Sequence, residues 1–326
     1  MGGTSTDEDD PPLAPDDAFA AIGHEIRVQI VEALARTDRA DRPLAFSELR
    51  DRVGTADSAK FNYHLDRLVG HFLERTDDGY DLRRAGERVA EAILSGAVTD
   101  DPVLERTEVD SACHYCGAPI EVSYREERIA AYCTECPGTY GERSADGESA
   151  DDGEADGFLG YLYLPPVSLA DRTPTEAHRA AIAWQVTEQL LAADGTCPRC
   201  SAPMDEWVTV CEDHDATDGS CGACNRRYAA HHSSECTNCV YSHRVAFGLS
   251  LVSHVDLQAF LTTHGVNVAS PDAERFFGAM LDYEEEIREA EPFAARFTFE
   301  LDGDRLSLTV DDDFDVVDVD EQPGEA

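Results

Sequence analysis

Lysine is almost missing from this chain. Lys60 is the single one in 326 residues, so cationic work falls to arginine, and Asp plus Glu outnumber Lys plus Arg by 67 to 26. The net charge of −41 describes a surface that stays hydrated in molar salt and repels itself at low salt. This is the composition of a protein adapted to a salt-rich cytoplasm, and it carries no information about a substrate. Long apolar runs are missing too: no window offers about 18 consecutive apolar residues, which excludes a membrane-spanning helix. Thr6-Asp-Glu-Asp-Asp-Pro-Pro12 lacks the basic start and apolar core of a signal peptide, so the expected location is cytoplasmic. The familiar catalytic patterns are absent as well, with no Gly-rich phosphate loop, no Gly-x-Ser-x-Gly and no His-Glu-x-x-His. A binding protein is expected rather than an enzyme.

The charge that is present is uneven. Residues 16–98 hold 12 of the 26 basic side chains against 16 acidic ones, and the other 243 residues hold 14 against 51. This least acidic part of the chain is the one able to approach phosphates. Within it, Phe46-Ser-Glu-Leu-Arg-Asp-Arg-Val53 reads as a short helix stopped by Gly54. A second helix, Ser58 to Val69, aligns Phe61, Leu65, Leu68 and Val69 on one face and leaves Ser58, Lys60, Asn62, Tyr63, His64 and Arg67 outside it. Two strand-like runs follow around Asp78-Gly79, a dipeptide suited to a tight hairpin turn, and end at Arg83-Arg84.

With the helix Ile22 to Leu34 carrying Glu25 and Arg27, Asn62-Tyr-His-Leu65, and the hairpin ending in Arg83-Arg-Ala-Gly86, residues 16–98 resemble the ArsR-like winged helix-turn-helix transcriptional regulators, here of halophilic archaeal type. The resemblance implies a homodimer formed through the first and last helices, the latter running Gly86 to Leu94. It also implies double-stranded DNA as partner, with Ser58 to Val69 in the major groove. Ser58, Lys60, Asn62, Tyr63, His64 and Arg67 would then face the groove, and Arg75, Arg83 and Arg84 the phosphates. The segment has no cysteine, whereas metal-sensing members of that family carry cysteines on the recognition helix.

All eleven cysteines lie further on, mostly in pairs two residues apart, which in a reducing compartment reads as metal ligation. Cys113-His-Tyr-Cys116 and Cys133-Thr-Glu-Cys136 flank the alternating stretches Ile120 to Tyr124 and Arg128 to Tyr132, the pattern of a zinc ribbon over 108–142. Cys197-Pro-Arg-Cys200, Cys211-Glu-Asp-His214, Cys221-Gly-Ala-Cys224 and Cys236-Thr-Asn-Cys239 are four more knuckles within 196–243. Eleven cysteines and His214 make twelve ligands, enough for three tetrahedral structural Zn²⁺ sites with none left over. Two pairings of the last four knuckles stay open: sequential, or a cross-brace joining the first with the third and the second with the fourth. His231 and His232 are alternatives to His214.

The expected fold class is α+β: an N-terminal winged helix-turn-helix, zinc ribbons, and a small C-terminal α+β domain with an antiparallel sheet. Residues 1–15 and 321–326 are expected as tails and the acidic, glycine-rich stretch 143–157 as a flexible loop. Residues 158–195 should supply a strand and a helix capped by Thr173-Pro-Thr-Glu176, with Ile182, Val186, Gln189 and Leu190 along one side and Trp184 in a core or interface. Residues 244–320 should supply helices Leu249 to Thr263 and Ala273 to Leu281, then three alternating strands. The function expected from all of this is a sequence-specific DNA-binding transcriptional regulator. The alternative is a zinc-ribbon module that binds the transcription machinery, as in archaeal initiation factors that combine a winged helix with a zinc ribbon.

Overall fold

The computed structural model describes residues 13–140, 157–217, 219–268 and 273–324. The expected tail at 1–15 therefore lies outside the described residues up to position 12, the loop at 143–157 up to position 156, and the tail at 321–326 in its last two positions. Where they are described, both tails are partly ordered: Pro15 begins a helix and residues up to Gln322 belong to a strand. The protein is α+β, with helices and antiparallel sheets, and divides into two compact units, Met1–Asp100 and Asp101–Ala326.

The first unit runs α1 (Pro15–Ile22), α2 (Glu25–Ala35), α3 (Phe46–Val53), α4 (Ser58–Asp66), β1 (Leu73–Arg75), β2 (Tyr80–Leu82) and α5 (Arg84–Leu94). The expected first helix starts late, because Gly23-His24 breaks the run and the His24 ring accepts from the Ile26 amide as the cap of α2. Ile26, Ile30, Val31 and Leu34 form one buried stripe of α2, against which Leu49 of α3 and Phe61 and Leu65 of α4 pack. Asp57 caps α4 by accepting from the Ala59 and Lys60 amides at 2.9 and 3.0 Å, and α4 stops at Asp66, short of the expected Val69. Leu68 still reaches the core from the turn that follows. In the β1–β2 hairpin the turn is wider than the Asp78-Gly79 dipeptide: the Thr76 amide donates to the Gly79 carbonyl at 2.8 Å. Gly79 sits at φ +153°, where a Cβ would lie 2.2 Å from the Leu44 carbonyl oxygen. That close approach lets Leu44 exchange backbone hydrogen bonds with Tyr80 at 2.9 and 3.0 Å, as a one-residue third strand.

The second unit opens with β3 (Leu104–Ala112), β4 (Pro119–Arg125), β5 (Arg128–Cys133) and β6 (Phe158–Tyr163), one antiparallel sheet in that order. Helix α6 (Pro174–Ala192) follows with the expected capping box between Thr173 and Glu176. A second sheet contains β7 (Met204–Val210), β8 (Ala230–Cys236) and β9 (Ser242–Ala246). Then come α7 (Phe247–Ser250), α8 (Val255–Thr263), α9 (Ala273–Leu281) and a meander of β10 (Tyr283–Ala290), β11 (Phe293–Leu301), β12 (Asp304–Val310) and β13 (Val316–Gln322). The expected helix from Leu249 is split, since His254 is extended and separates α8 from a short 3₁₀ turn. Strands β3, β7, β8, β9 and β10 were not expected. One core unites the segments that the sequence separates: Ile120, Val122 and Ile129 join Ile182 and Val186 of α6, Phe247, and Phe297 and Phe299 of β11. Phe247 stacks on Phe297 at 4.8 Å and 3°. Trp184, expected in a core or interface, is not in the core: it is 44% exposed and donates through Nε1 to Glu188 at 2.6 Å.

Candidate metal centres and nucleic-acid surface

The twelve expected ligands gather into three groups of four, each able to hold a metal ion: Cys113, Cys116, Cys133 and Cys136; Cys197, Cys200, Cys236 and Cys239; and Cys211, His214, Cys221 and Cys224. Neither sequential nor cross-braced pairing is found. The first knuckle pairs with the fourth and the second with the third, so one centre is nested inside the other. The reason is the β7–β8 hairpin. Its register sets Met204 opposite Cys236 at one end and Val210 opposite Ala230 at the other. The knuckles flanking β7 and β8 must meet those of the partner strand at the same end, and six residue steps at about 3.4 Å hold the two ends about 20 Å apart.

Local backbone geometry repeats at the knuckles. Cys113, Cys197 and Cys221 each accept, on their carbonyl, the amide four residues on at 2.8 Å, and donate to the carbonyl five residues on at 2.8 to 2.9 Å. The residue after the second cysteine, Gly117, Ser201 or Asn225, adopts a left-handed φ of 75°, 61° or 57°. Amides then point at sulfur, as where Glu135 and Cys136 donate to Cys133 Sγ at 3.4 and 3.3 Å. The Asp215 and Cys224 amides hold the Cys221 thiol down to about 6. Desolvation works against the same effect at Cys236, yet the Cys239 and Asn238 amides bring it to about 6. The lowering favours the thiolate, the form that binds metal, at these two cysteines, whereas Cys224 and Cys239 beside them are pushed up to about 12.

The donor spacing fits zinc. With Zn–S near ~2.3 Å and Zn–N near ~2.0 Å, a tetrahedron needs about 3.8 Å between sulfurs and about 3.6 Å between nitrogen and sulfur. The sulfur pairs Cys113–Cys136, Cys116–Cys133, Cys197–Cys239 and Cys200–Cys236 lie 3.7, 3.4, 3.6 and 3.4 Å apart. His214 Nδ1 lies 3.5 Å from Cys224 Sγ while its Nε2 is 3.1 Å from the Arg227 carbonyl. Donation from Nε2 to that carbonyl leaves Nδ1 unprotonated and free to ligate. His231 and His232 do not replace it. Both are buried in β8, and desolvation pushes His231 down to about 3.

On the first unit, Ser58, Lys60, Asn62, Tyr63 and Arg67 are exposed. Lys60, Tyr63 and Arg67 follow the i, i+3, i+7 spacing of one stripe, with Tyr63 56% exposed and the Arg67 guanidinium 5.9 Å from its ring centre. Asn62 donates to Asp66 at 2.7 Å. His64 departs from the expected pattern. It is buried at 5% exposure with its ring 4.0 Å from that of His24, and desolvation lowers its pKa. It sits where α4 turns inward against the cap of α2, so it is a packing residue. Arg75 and Arg83 are exposed, Arg83 donating to the Gly70 carbonyl. Arg84 belongs to α5 and is paired with Glu87 at 2.7 Å.

Sequence reasoning overlooked a cluster of polar residues in the second unit, His178, Gln185 and Gln189 on α6 with His243 on β9. They border a cavity of about 310 Å³. Polar residues recurring on the inward stripe of a long helix were the signal.

Residues 110–316 match the family described as a domain of unknown function (DUF7351), and the chain belongs to that family. Residues 15–93 match a second domain of unknown function (DUF7347). The two matches fall on either side of the boundary between the two structural units. No curated protein and no solved structure matches the chain. No helix among the described residues is long and apolar enough to cross a membrane.

Proposed function

We propose that the protein is a sequence-specific DNA-binding transcriptional regulator, working as a homodimer and carrying three structural zinc ions. The observation that carries the reading is the exposed stripe of Lys60 and Tyr63 on α4 with Arg67 at its C-cap, within the least acidic segment of a chain of net charge −41. Supporting it is the order of elements: a one-residue strand at Leu44, α3, α4 and the β1–β2 hairpin follow the plan of an ArsR-like winged helix-turn-helix, with α4 as recognition helix. Lys60, Asn62, Tyr63 and Arg67 read the groove with Ser58 at the helix start, while Arg75 and Arg83 meet phosphates along the hairpin. Helix α1 has no buried residue and leaves Phe19 77% exposed, which supports a second copy covering it.

In molar salt the screening length is about 3 Å, and counterion release contributes little. Affinity therefore rests on base contacts, shape and two-fold avidity. Replacing Lys60, Asn62 and Arg67 together by alanine should weaken specific binding by about 100-fold or more, at roughly 1–3 kcal/mol per base contact. Zinc content and far-UV circular dichroism should stay as in the parent; binding that survives the triple change would rule out α4 as the reading helix. A second reading has its own observation. Val240, at the fourth knuckle, is fully exposed and Trp207 on β7 is 40% exposed, so the nested ribbon could present an apolar tip to the transcription machinery.

A further inference from the structure

Strands β6 and β9 are the outer strands of two different sheets, and the 310 Å³ cavity lies between them, bordered also by α6 and α9. Every residue of both strands touches it. Side chains alternate between the faces of a strand, so a space touched by consecutive residues runs along the outer edges of the two sheets rather than over one face. Phe158, Tyr161, Phe276 and Phe277 give it an aromatic lining.

Two features separate this space from a packing defect. Among the described residues that line it there is no Asp or Glu, in a chain with 67 of them. Arg244, the one charged lining residue, donates to Thr209 Oγ1 at 3.3 Å. Polar groups also converge on it. His178 Nδ1 and Gln185 Oε1 are buried without a hydrogen-bond partner among the described residues, and His178 as a whole is only 4% exposed. They stand seven residues apart on the same face of α6, with Gln189 four further on and joined to His243. A buried acceptor left unpaired costs about 1–3 kcal/mol, a cost that a ligand with matching donors removes. Burial pushes His178 and His243 down to about 4, so both rings are neutral near pH 7 and His178 Nδ1 is able to accept.

We infer that this cavity is a binding site for an uncharged, mainly aromatic small molecule that carries N–H or O–H donors. A cation is disfavoured because the described lining has no carboxylate to pair with it, and an anion because the one cationic group, Arg244, is already engaged with Thr209 Oγ1; a buried ion without a partner is costly. The volume is at the small end of ligand pockets, which run from about 300 to 1,000 Å³. The site stands independently of the DNA-binding reading, since it uses only residues of the second unit.

The probe is N-phenyl-1-naphthylamine, an uncharged aromatic amine with one N–H donor whose emission rises in apolar surroundings. Titrated into the zinc-loaded full-length protein in molar KCl, it should give a saturable enhancement with one site per chain. With one N–H to donate, the probe pairs with His178 Nδ1 or Gln185 Oε1, so at least one of His178→Leu and Gln185→Leu should weaken binding by roughly tenfold, the worth of one hydrogen bond. Gln185→Trp should abolish binding by filling the cavity. Zinc content and far-UV circular dichroism report whether each variant is folded, and if Gln185→Trp does not fold, the two leucine variants decide. The absence of a saturable signal with folded wild-type protein, or unchanged affinity in the folded variants, would overturn the inference.

Discussion

The nested metal centres make a prediction that separates three wirings by counting ions. In the structure Cys197 and Cys236 belong to one centre, and Cys211 and Cys224 to the other. Under sequential pairing, and equally under a cross-brace, each of those two cysteine pairs would be divided between centres. The double substitution Cys197→Ser with Cys236→Ser should therefore reduce three bound zinc ions to two, where either other wiring takes one ligand from each of two centres and so weakens both alike. Cys211→Ser with Cys224→Ser should give the same count. The energetics favour clean loss: a structural zinc site supplies on the order of 10 kcal/mol, and two of four ligands cannot hold the ion against dialysis. Cys197 is buried but stands outside the main core, Cys200 is exposed and Cys236 and Cys239 are half-buried, so losing that centre spares the main core. Elemental analysis of dialysed protein gives the count, and ¹¹³Cd resonances identify the departed centre, because only the Cys211 group has a nitrogen donor. One remaining ion after the first double substitution, in folded protein, would refute the nested arrangement.

Phe297→Ala should destabilise the second unit by about 3–5 kcal/mol in urea denaturation, because the ring is fully buried and stacked on Phe247; a loss below 1 kcal/mol would mean that the core is misassigned. Gly79→Ala should cost the first unit about 3 kcal/mol, since its Cβ would lie 2.2 Å from the Leu44 oxygen at a positive φ, and the β1–β2 amides should exchange faster. The His178 pKa is lowered from 6.5 to about 4 by burial. Its neutral form therefore contributes stability in full above pH 6.5, which is lost as pH falls towards 4. At pH 5 this amounts to about 2 kcal/mol, and His178→Leu should reduce the acid loss by that much. Comparing urea midpoints of parent and variant at pH 7 and 5 cancels effects of zinc release common to both, and parallel shifts would contradict the assignment.

What was legible in the sequence was local. The α3 helix, the capping box of α6, strands β4 and β5 and all twelve metal donors follow from spacing within short windows. Their wiring was not legible, because it depends on the β7–β8 pairing and those strands hide it. Ala230-His-His-Ser-Ser-Glu-Cys236 lacks apolar alternation, yet Ala230, His231, His232, Ser233 and Ser234 are all buried. Strand β10 is concealed for a similar reason. Tyr283-Glu-Glu-Glu-Ile-Arg-Glu-Ala290 is poor in β-formers, and Glu285 is accommodated by accepting from the Ala229 and Ala230 amides, a contact 55 residues away in sequence. His64 was misjudged as a surface residue because the helical pattern of α4 alone does not reveal that His24 caps α2 beside it. In each case tertiary contact overrode a local pattern.

The central claim, a dimeric reader of DNA, is tested most directly by selecting bound sequences from a random duplex library with zinc-loaded full-length protein in molar KCl. The account predicts enrichment of a two-fold symmetric motif, with affinity falling only gently between one and two molar salt. Recovery of no motif from folded, zinc-loaded protein would contradict it.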